Sequence, residues 1–124
     1  MTRVTGIGGV FFKARDPKAI QAWYEKHLGV PTGPGGIVFT WGGDGSAPGQ
    51  TIWAPFANDT KYFGPSAQSH MVNFRVADLD ALLAELAKEG VEIIPERSDY
   101  DFGRFAWIVD CEGNRVELWE PKGE

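Results

Sequence analysis

The chain has 124 residues, a size that predicts one domain with its own core. Hydrophobic residues make up 43% and charged residues 23%, which is typical of a globular protein and excludes a disordered chain. Twelve basic and 17 acidic side chains give a net charge of −5, so we expect neither nucleic-acid nor membrane binding. One cysteine and no signal-peptide pattern favour a cytoplasmic protein.

The first half of the chain predicts a strand, a helix and further strands. Residues 8–14 are apolar and β-prone. Asp16 and Pro17 then predict a helix start, because Asp16 can accept hydrogen bonds from free backbone N–H groups and proline suits the first helical position. Apolar residues at steps of three and four continue this helix to Gly29. Residues 37–41 and a stretch from residue 51 predict strands, separated by a glycine-rich turn at 42–46.

The second half repeats this order. Residues 71–76 predict a strand, and Asp78 predicts the start of a helix with a leucine stripe that ends at Gly90. Short apolar runs predict strands at 91–94, 105–109 and 115–119, and the turn at 110–114 joins the last two into a hairpin.

The equal spacing of matching landmarks indicates an internal duplication. Asp16 and Asp78 are 62 positions apart, and the glycines that end the two helices are 61 apart. We therefore expect an α+β fold in which two βαβββ modules form a mixed-sheet cup within one domain, 1–124, with module 1 at about 4–61 and module 2 at about 68–121. The turns of such modules account for much of the glycine content, which at 16 residues is roughly twice the usual frequency.

Three stretches carry a family resemblance: ARDP at 14–17 running on to WYEKHLG at 23–29, FRVADLD at 74–80, and DCEGNRVELWEP at 110–121. On these motifs the chain resembles the vicinal oxygen chelate superfamily, which contains the glyoxalases, bleomycin-resistance proteins and extradiol dioxygenases. The resemblance implies a cup of strands around a small-molecule site. It also implies a homodimer, which would cover the exposed sheet edges.

Metal-dependent members of that superfamily place ligands on the first and last strands of each module. The resemblance puts these positions at Gly9, about Trp53, Met71 and Glu117. Glycine and tryptophan offer no donor, and methionine is too soft for the divalent metals concerned, so we expect no tightly bound metal. The alternative is a divalent metal held by Glu117 together with His70, should a bulge turn His70 into the cup.

Alternation along the strand at 71–76 opposes that alternative. The apolar set there, Val72, Phe74 and Val76, would pack on a helix, and His70 shares its parity. The residues between them would face the cup: Met71, Asn73 and Arg75.

Glu117 is the candidate catalytic residue. Alternation with Val116 and Leu118 places it on the cup face, where a carboxylate could act as an acid–base group or anchor a ligand. The alternative is a structural ion pair with Arg75 or Lys13 across the cup.

Candidate ligand contacts come from three sources: residues that alternate toward the cup, the unusually numerous tryptophans, and the loop at 99–104, which could form a polar lid. Core packing and a solvated loop are the structural alternatives. The candidates are Trp53, Met71, Asn73, Arg75, Tyr100, Arg104, Trp107 and Trp119.

Three functions are compatible with these features. The first is a glyoxalase/bleomycin-resistance-like protein that binds a small aromatic or amphiphilic molecule without a tightly bound metal. The second is a metal-dependent lyase, isomerase or dioxygenase that uses Glu117. The third is an assembly module whose cup is filled by its own side chains.

Overall fold

A computed structural model describes residues 3–31, 33–42, 48–64 and 67–122. Most of the predicted turn at 42–46 lies outside the described residues. The elements in chain order are β1 (Val4–Ala14), α1 (Pro17–Leu28), β2 (Ile37–Trp41), β3 (Gly49–Ala57), β4 (His70–Val76), α2 (Leu79–Lys88), β5 (Glu92–Tyr100), β6 (Gly103–Val109) and β7 (Arg115–Pro121).

The strands form one sheet in the order β2–β3–β1–β4–β7–β6–β5. It is a mixed sheet: β1 pairs with β3 and β4 with β7 in parallel, whereas the other neighbours are antiparallel. The predicted α+β class is confirmed, since the described residues form a mixed seven-stranded sheet that carries two helices.

The central β1–β4 pair relates the two halves of the sheet. On one side lie β3 and β2, and on the other lie β7 and β6 in matching orientations. In the described parts of the chain, two strands follow α1 and three follow α2, because β5 extends only the second half. The module boundaries at 4–61 and 68–121 remain a prediction.

Both helices begin as the sequence predicts. Asp16 and Asp78 each accept a 3.0 Å hydrogen bond from the backbone N–H three residues later, and Gly29 ends α1 in the left-handed conformation. Helix α2 buries Leu79 and Leu82, whereas α1 buries no residue. Neither helix, nor any other in the described ranges, is long and apolar enough to cross a membrane.

The two faces of the sheet have different partners. The helix face carries the apolar residues that pack under α2, among them Val76, Ala106 and Leu118. We call the opposite face, which carries Asn73 and Glu117, the site face. Its core contains Phe11, Ala54, Phe63, Met71 and Trp107.

Candidate functional site

The side chain of Glu117 lies in the middle of the site face and is 0% exposed. Its strand, β7, places it beside Asn73 of β4 and Trp107 of β6. Asn73 Nδ2 donates to Oε2 at 2.7 Å, Trp107 Nε1 donates to Oε1 at 3.1 Å, and the Tyr62 hydroxyl also donates to Oε1. Three neutral donors therefore hold the carboxylate, in place of the ion pair considered as an alternative.

Burial and hydrogen bonding act in opposite directions on this carboxylate. Burial raises the pKa of Glu117 above its ordinary value, and the hydrogen bonds from Tyr62, Asn73 and Trp107 offset part of that rise. Burial also raises the pKa of Tyr62, and the neighbouring Glu117 charge raises it further. Tyr62 therefore stays protonated at neutral pH and keeps donating to Glu117.

Tyr62 was not among the residues indicated by the sequence patterns; it lies between β3 and β4, in the gap between the two predicted modules. Its ring stacks on Phe56 at 5.5 Å and meets Trp107 edge-on at 6.2 Å. The next residue, Phe63, is completely buried in the core of the site face. Two consecutive aromatic residues within a polar loop are the signal that could have identified this segment.

An aromatic cavity of about 230 Å³ opens beside Tyr62 on the site face. Tyr100 and Phe102, which are 51% and 60% exposed, stack on each other at 5.1 Å at its edge. We call it the aromatic cavity, and its lining residues are Tyr62, Ser98, Tyr100, Phe102, Phe105 and Trp107.

Two further candidates, Arg75 and Trp119, lie on the site face but pack against each other. The Arg75 guanidinium is buried between the indole rings of Trp41 and Trp119, 5.7 and 5.4 Å from their centroids. Trp119 also stacks on Phe105 at 5.9 Å, so it supports the wall of the aromatic cavity.

Met71 also lies on the site face, but Phe11 and Phe63 pack around it and leave it 1% exposed. Its side chain is part of the core beneath the site.

The structure places Trp53 on the helix face, not in the cup. Its ring packs on Tyr24 of α1 at 4.7 Å and on Phe12 at 5.3 Å. The site-face residue at this point of β3 is Ala54, which pairs with Phe11. The predicted cup position on β3 differs from the observed one by a single residue. That difference moves the side chain to the other face, because successive strand residues point to opposite faces.

Arg104 likewise lies away from the aromatic cavity. Its guanidinium donates to Asp80 of α2 at 2.7 Å and lies 3.8 Å from Glu120. The expected lid contact is absent because these carboxylates hold Arg104 on the helix side of β6, while its neighbour Phe105 lines the cavity.

The open mixed sheet with helices on one face matches the glyoxalase/bleomycin-resistance-like fold. The model of the glyoxalase-like domain family matches residues 9–119, so the chain belongs to that family. The resemblance to the vicinal oxygen chelate superfamily is thereby confirmed. Comparison with curated proteins gives no match.

Several solved structures share the fold. The chain is similar to methylmalonyl-CoA epimerase from Mycobacterium tuberculosis, with 24% identity, a TM-score of 0.64, and coverage of 99% of this chain and 92% of that one. A Streptomyces coelicolor methylmalonyl-CoA epimerase variant has 19% identity and a TM-score of 0.69, with coverage of 97% of this chain and 99% of that one. The NAD-dependent benzaldehyde dehydrogenase from Legionella pneumophila has 19% identity and a TM-score of 0.60, with coverage of 92% of this chain and 98% of that one. At such identities the likeness shows the fold.

The residues present do not fit the divalent metal of the metal-dependent relatives. Gly9 and Ala54 occupy the site-face positions on β1 and β3, and neither has a donor side chain. His70 pairs with Phe12 across β4 and β1 and contacts the Ser69 hydroxyl at 2.7 Å, away from Glu117. No three His, Cys, Asp or Glu side chains in the described part of the chain could share a metal ion.

Proposed function

We propose that this protein binds a small aromatic or amphiphilic molecule in the aromatic cavity, without a metal. The observation that carries the proposal is the cavity itself, in which five of six lining residues are aromatic. Rings of this kind suit a flat apolar ligand. A cavity of about 150 Å³ accommodates benzene, so the 230 Å³ here suits a somewhat larger ring system.

Polar groups at the cavity would orient the ligand. Glu117 is completely buried, so it acts through Tyr62, whose hydroxyl it holds by a hydrogen bond. Ser98, which also lines the cavity, adds a hydroxyl that can donate or accept a hydrogen bond. An amphiphilic ligand would therefore place its ring among the aromatic side chains and its polar group near Ser98.

A second candidate function is an enzyme that moves a proton through Tyr62. The observation in its favour is the hydrogen bond that the Tyr62 hydroxyl donates to Glu117 Oε1, because it gives the phenolic proton a direct path to a carboxylate. In this case Tyr62 would touch the substrate and Glu117 would be the positioning residue that receives its proton.

Calorimetric titration with indole tests the first proposal. Calorimetry is preferred to fluorescence because the chain itself contains five tryptophans. Because Phe102 is 60% exposed, its replacement should not prevent folding. We expect Phe102→Ala to weaken indole binding about tenfold through the loss of one cavity wall.

Leu28→Ala is the control, since Leu28 is 64% exposed at the end of α1 and lies outside both the cavity lining and the β2 surface. Equal affinities for the two variants, or no saturable binding to the unaltered protein, would contradict the proposal.

We also propose that the protein is a homodimer in the cytoplasm. Strand β2 is an edge of the sheet, and its Val38 and Phe39 side chains are 52% and 45% exposed. Exposed apolar edge strands are commonly covered by another chain, which supports pairing through this region.

A further inference from the structure

Arg115 lies at the start of β7, two residues before Glu117, and is half-buried on the site face. It lines a cavity of about 410 Å³ that is separate from the aromatic cavity. We call this second space the Arg115 cavity. Apolar side chains form much of its wall: Phe63, Ile93, Ile94, Pro95 and Val109.

The guanidinium of Arg115 has no ion-pair or hydrogen-bond partner among the described residues, and its Nε is buried. By contrast, Arg97 and Arg104 each pair with Asp80 at 2.7 Å. The nearby Asp110 carboxylate is already engaged, because it accepts hydrogen bonds from backbone N–H groups of its own turn. A partly buried guanidinium without a partner is costly, and an added anion would relieve that cost.

Local packing holds this guanidinium in place. Gly64 adopts φ +85°, and a β-carbon there would lie 2.8 Å from Arg115 Nε and 3.2 Å from Cζ. The backbone at Gly64 therefore covers the inner edge of the guanidinium. A second positive charge is close by, since Lys13 Nζ lies 5.7 Å from the centroid of the Phe63 ring that borders the cavity.

We propose that the Arg115 cavity binds a small monocarboxylate with an apolar body, the carboxylate on Arg115 and the body against Phe63 and Ile94. Arginine matches a planar carboxylate with two parallel hydrogen bonds. Glu92 and Glu96 also line the cavity, and their charges would disfavour a dianion such as a phosphate monoester.

Binding of 3-phenylpropionate, measured by calorimetry and by the NMR resonance of Arg115 Nε–Hε, tests this site. We expect the acid to bind and shift that resonance, the neutral 3-phenylpropionamide to bind at least tenfold more weakly, and 3-phenylpropyl phosphate to bind more weakly than the acid. We expect Arg115→Gln to reduce affinity for the acid about tenfold and leave the amide unaffected.

Arg97→Gln is the matched control, because it removes a guanidinium that already has a carboxylate partner. Should Arg115→Gln fail to fold, Arg115→Lys keeps the charge and is expected to retain part of the affinity. Equal binding of acid and amide, an unmoved Arg115 resonance, or an equal effect of Arg97→Gln would overturn the proposal. Indole binding in the aromatic cavity is measured separately, so either site can fail without the other.

Discussion

Glu117 links the protonation of the site to the stability of the fold. Burial raises the pKa of Glu117 above its ordinary value of 4.5. At pH values between the ordinary pKa and the folded-state pKa, the folded protein therefore binds more protons than the unfolded chain. Its contribution to the free energy of unfolding is therefore complete below about pH 4.5 and falls as the pH rises through the folded-state pKa. The exposed Asp80 and Asp99 have lowered pKa values and act in the opposite direction, losing their contribution as the pH falls.

Removing the Tyr62 hydroxyl should shift this pH dependence. We expect Tyr62→Phe to lower the free energy of unfolding by about 1.5–3 kcal/mol at neutral pH, because a charged hydrogen bond is lost from a buried carboxylate. The same loss raises the Glu117 pKa further, so the decline in stability should move to higher pH. Urea unfolding between about pH 4 and 8 measures both effects.

Tyr100→Phe is the control for that experiment, since it removes an equivalent hydroxyl from a side chain that is 51% exposed. A pH profile of Tyr62→Phe that coincides with the profile of Tyr100→Phe would show that the Tyr62–Glu117 hydrogen bond has no influence on stability.

The two helices occupy equivalent places but contribute unequally to the core. Helix α2 places Leu79 and Leu82 in the helix-face cluster, whereas α1 has no buried residue and packs Tyr24 on Trp53 of β3. The sequences of the helices are consistent with this difference in burial, because α2 has a continuous leucine stripe and α1 does not.

Substitutions at equivalent positions of the two helices, 62 residues apart, test whether α1 and α2 contribute unequally to stability. We expect Leu82→Ala to cost about 2–5 kcal/mol of unfolding free energy, because it leaves a cavity under a buried side chain. Ile20→Ala, at the corresponding position of α1, should cost less because Ile20 is only half-buried. Urea unfolding of both variants at one pH compares them, and equal losses would contradict the unequal roles of the helices.

Across the whole molecule, the β1–β4 pair joins the halves into one sheet and leaves β2 at one edge and β5 at the other. If the exposed side chains of β2 meet a second copy, light scattering should give twice the chain mass of 13.6 kDa. We expect Val38→Glu to reduce that mass to the monomer value, since a buried unpaired charge opposes association.

Thr40→Glu, on the same exposed strand, shows whether a negative charge anywhere on β2 is enough to dissociate the dimer. A monomer mass for the unaltered protein at micromolar concentration would contradict the homodimer.

Local patterns in the sequence were sufficient for the helix starts at Asp16 and Asp78, for most strands, and for the site-face position of Glu117. Each of these depends on capping or on residue periodicity within a short segment, and both are visible in the sequence itself. The placement of Asn73 followed from the same alternation.

Only the tertiary structure revealed which residues meet. Tyr62 reaches Glu117 across 55 positions, and a loop has no periodicity that could indicate such a contact. Trp53 was placed on the wrong face because a one-residue error in strand position reverses the direction of the side chain. Strand and helix order follow from local chemistry. The partners of the buried Glu117 carboxylate, and the lack of a partner for Arg115 Nε among the described residues, depend on how distant segments pack.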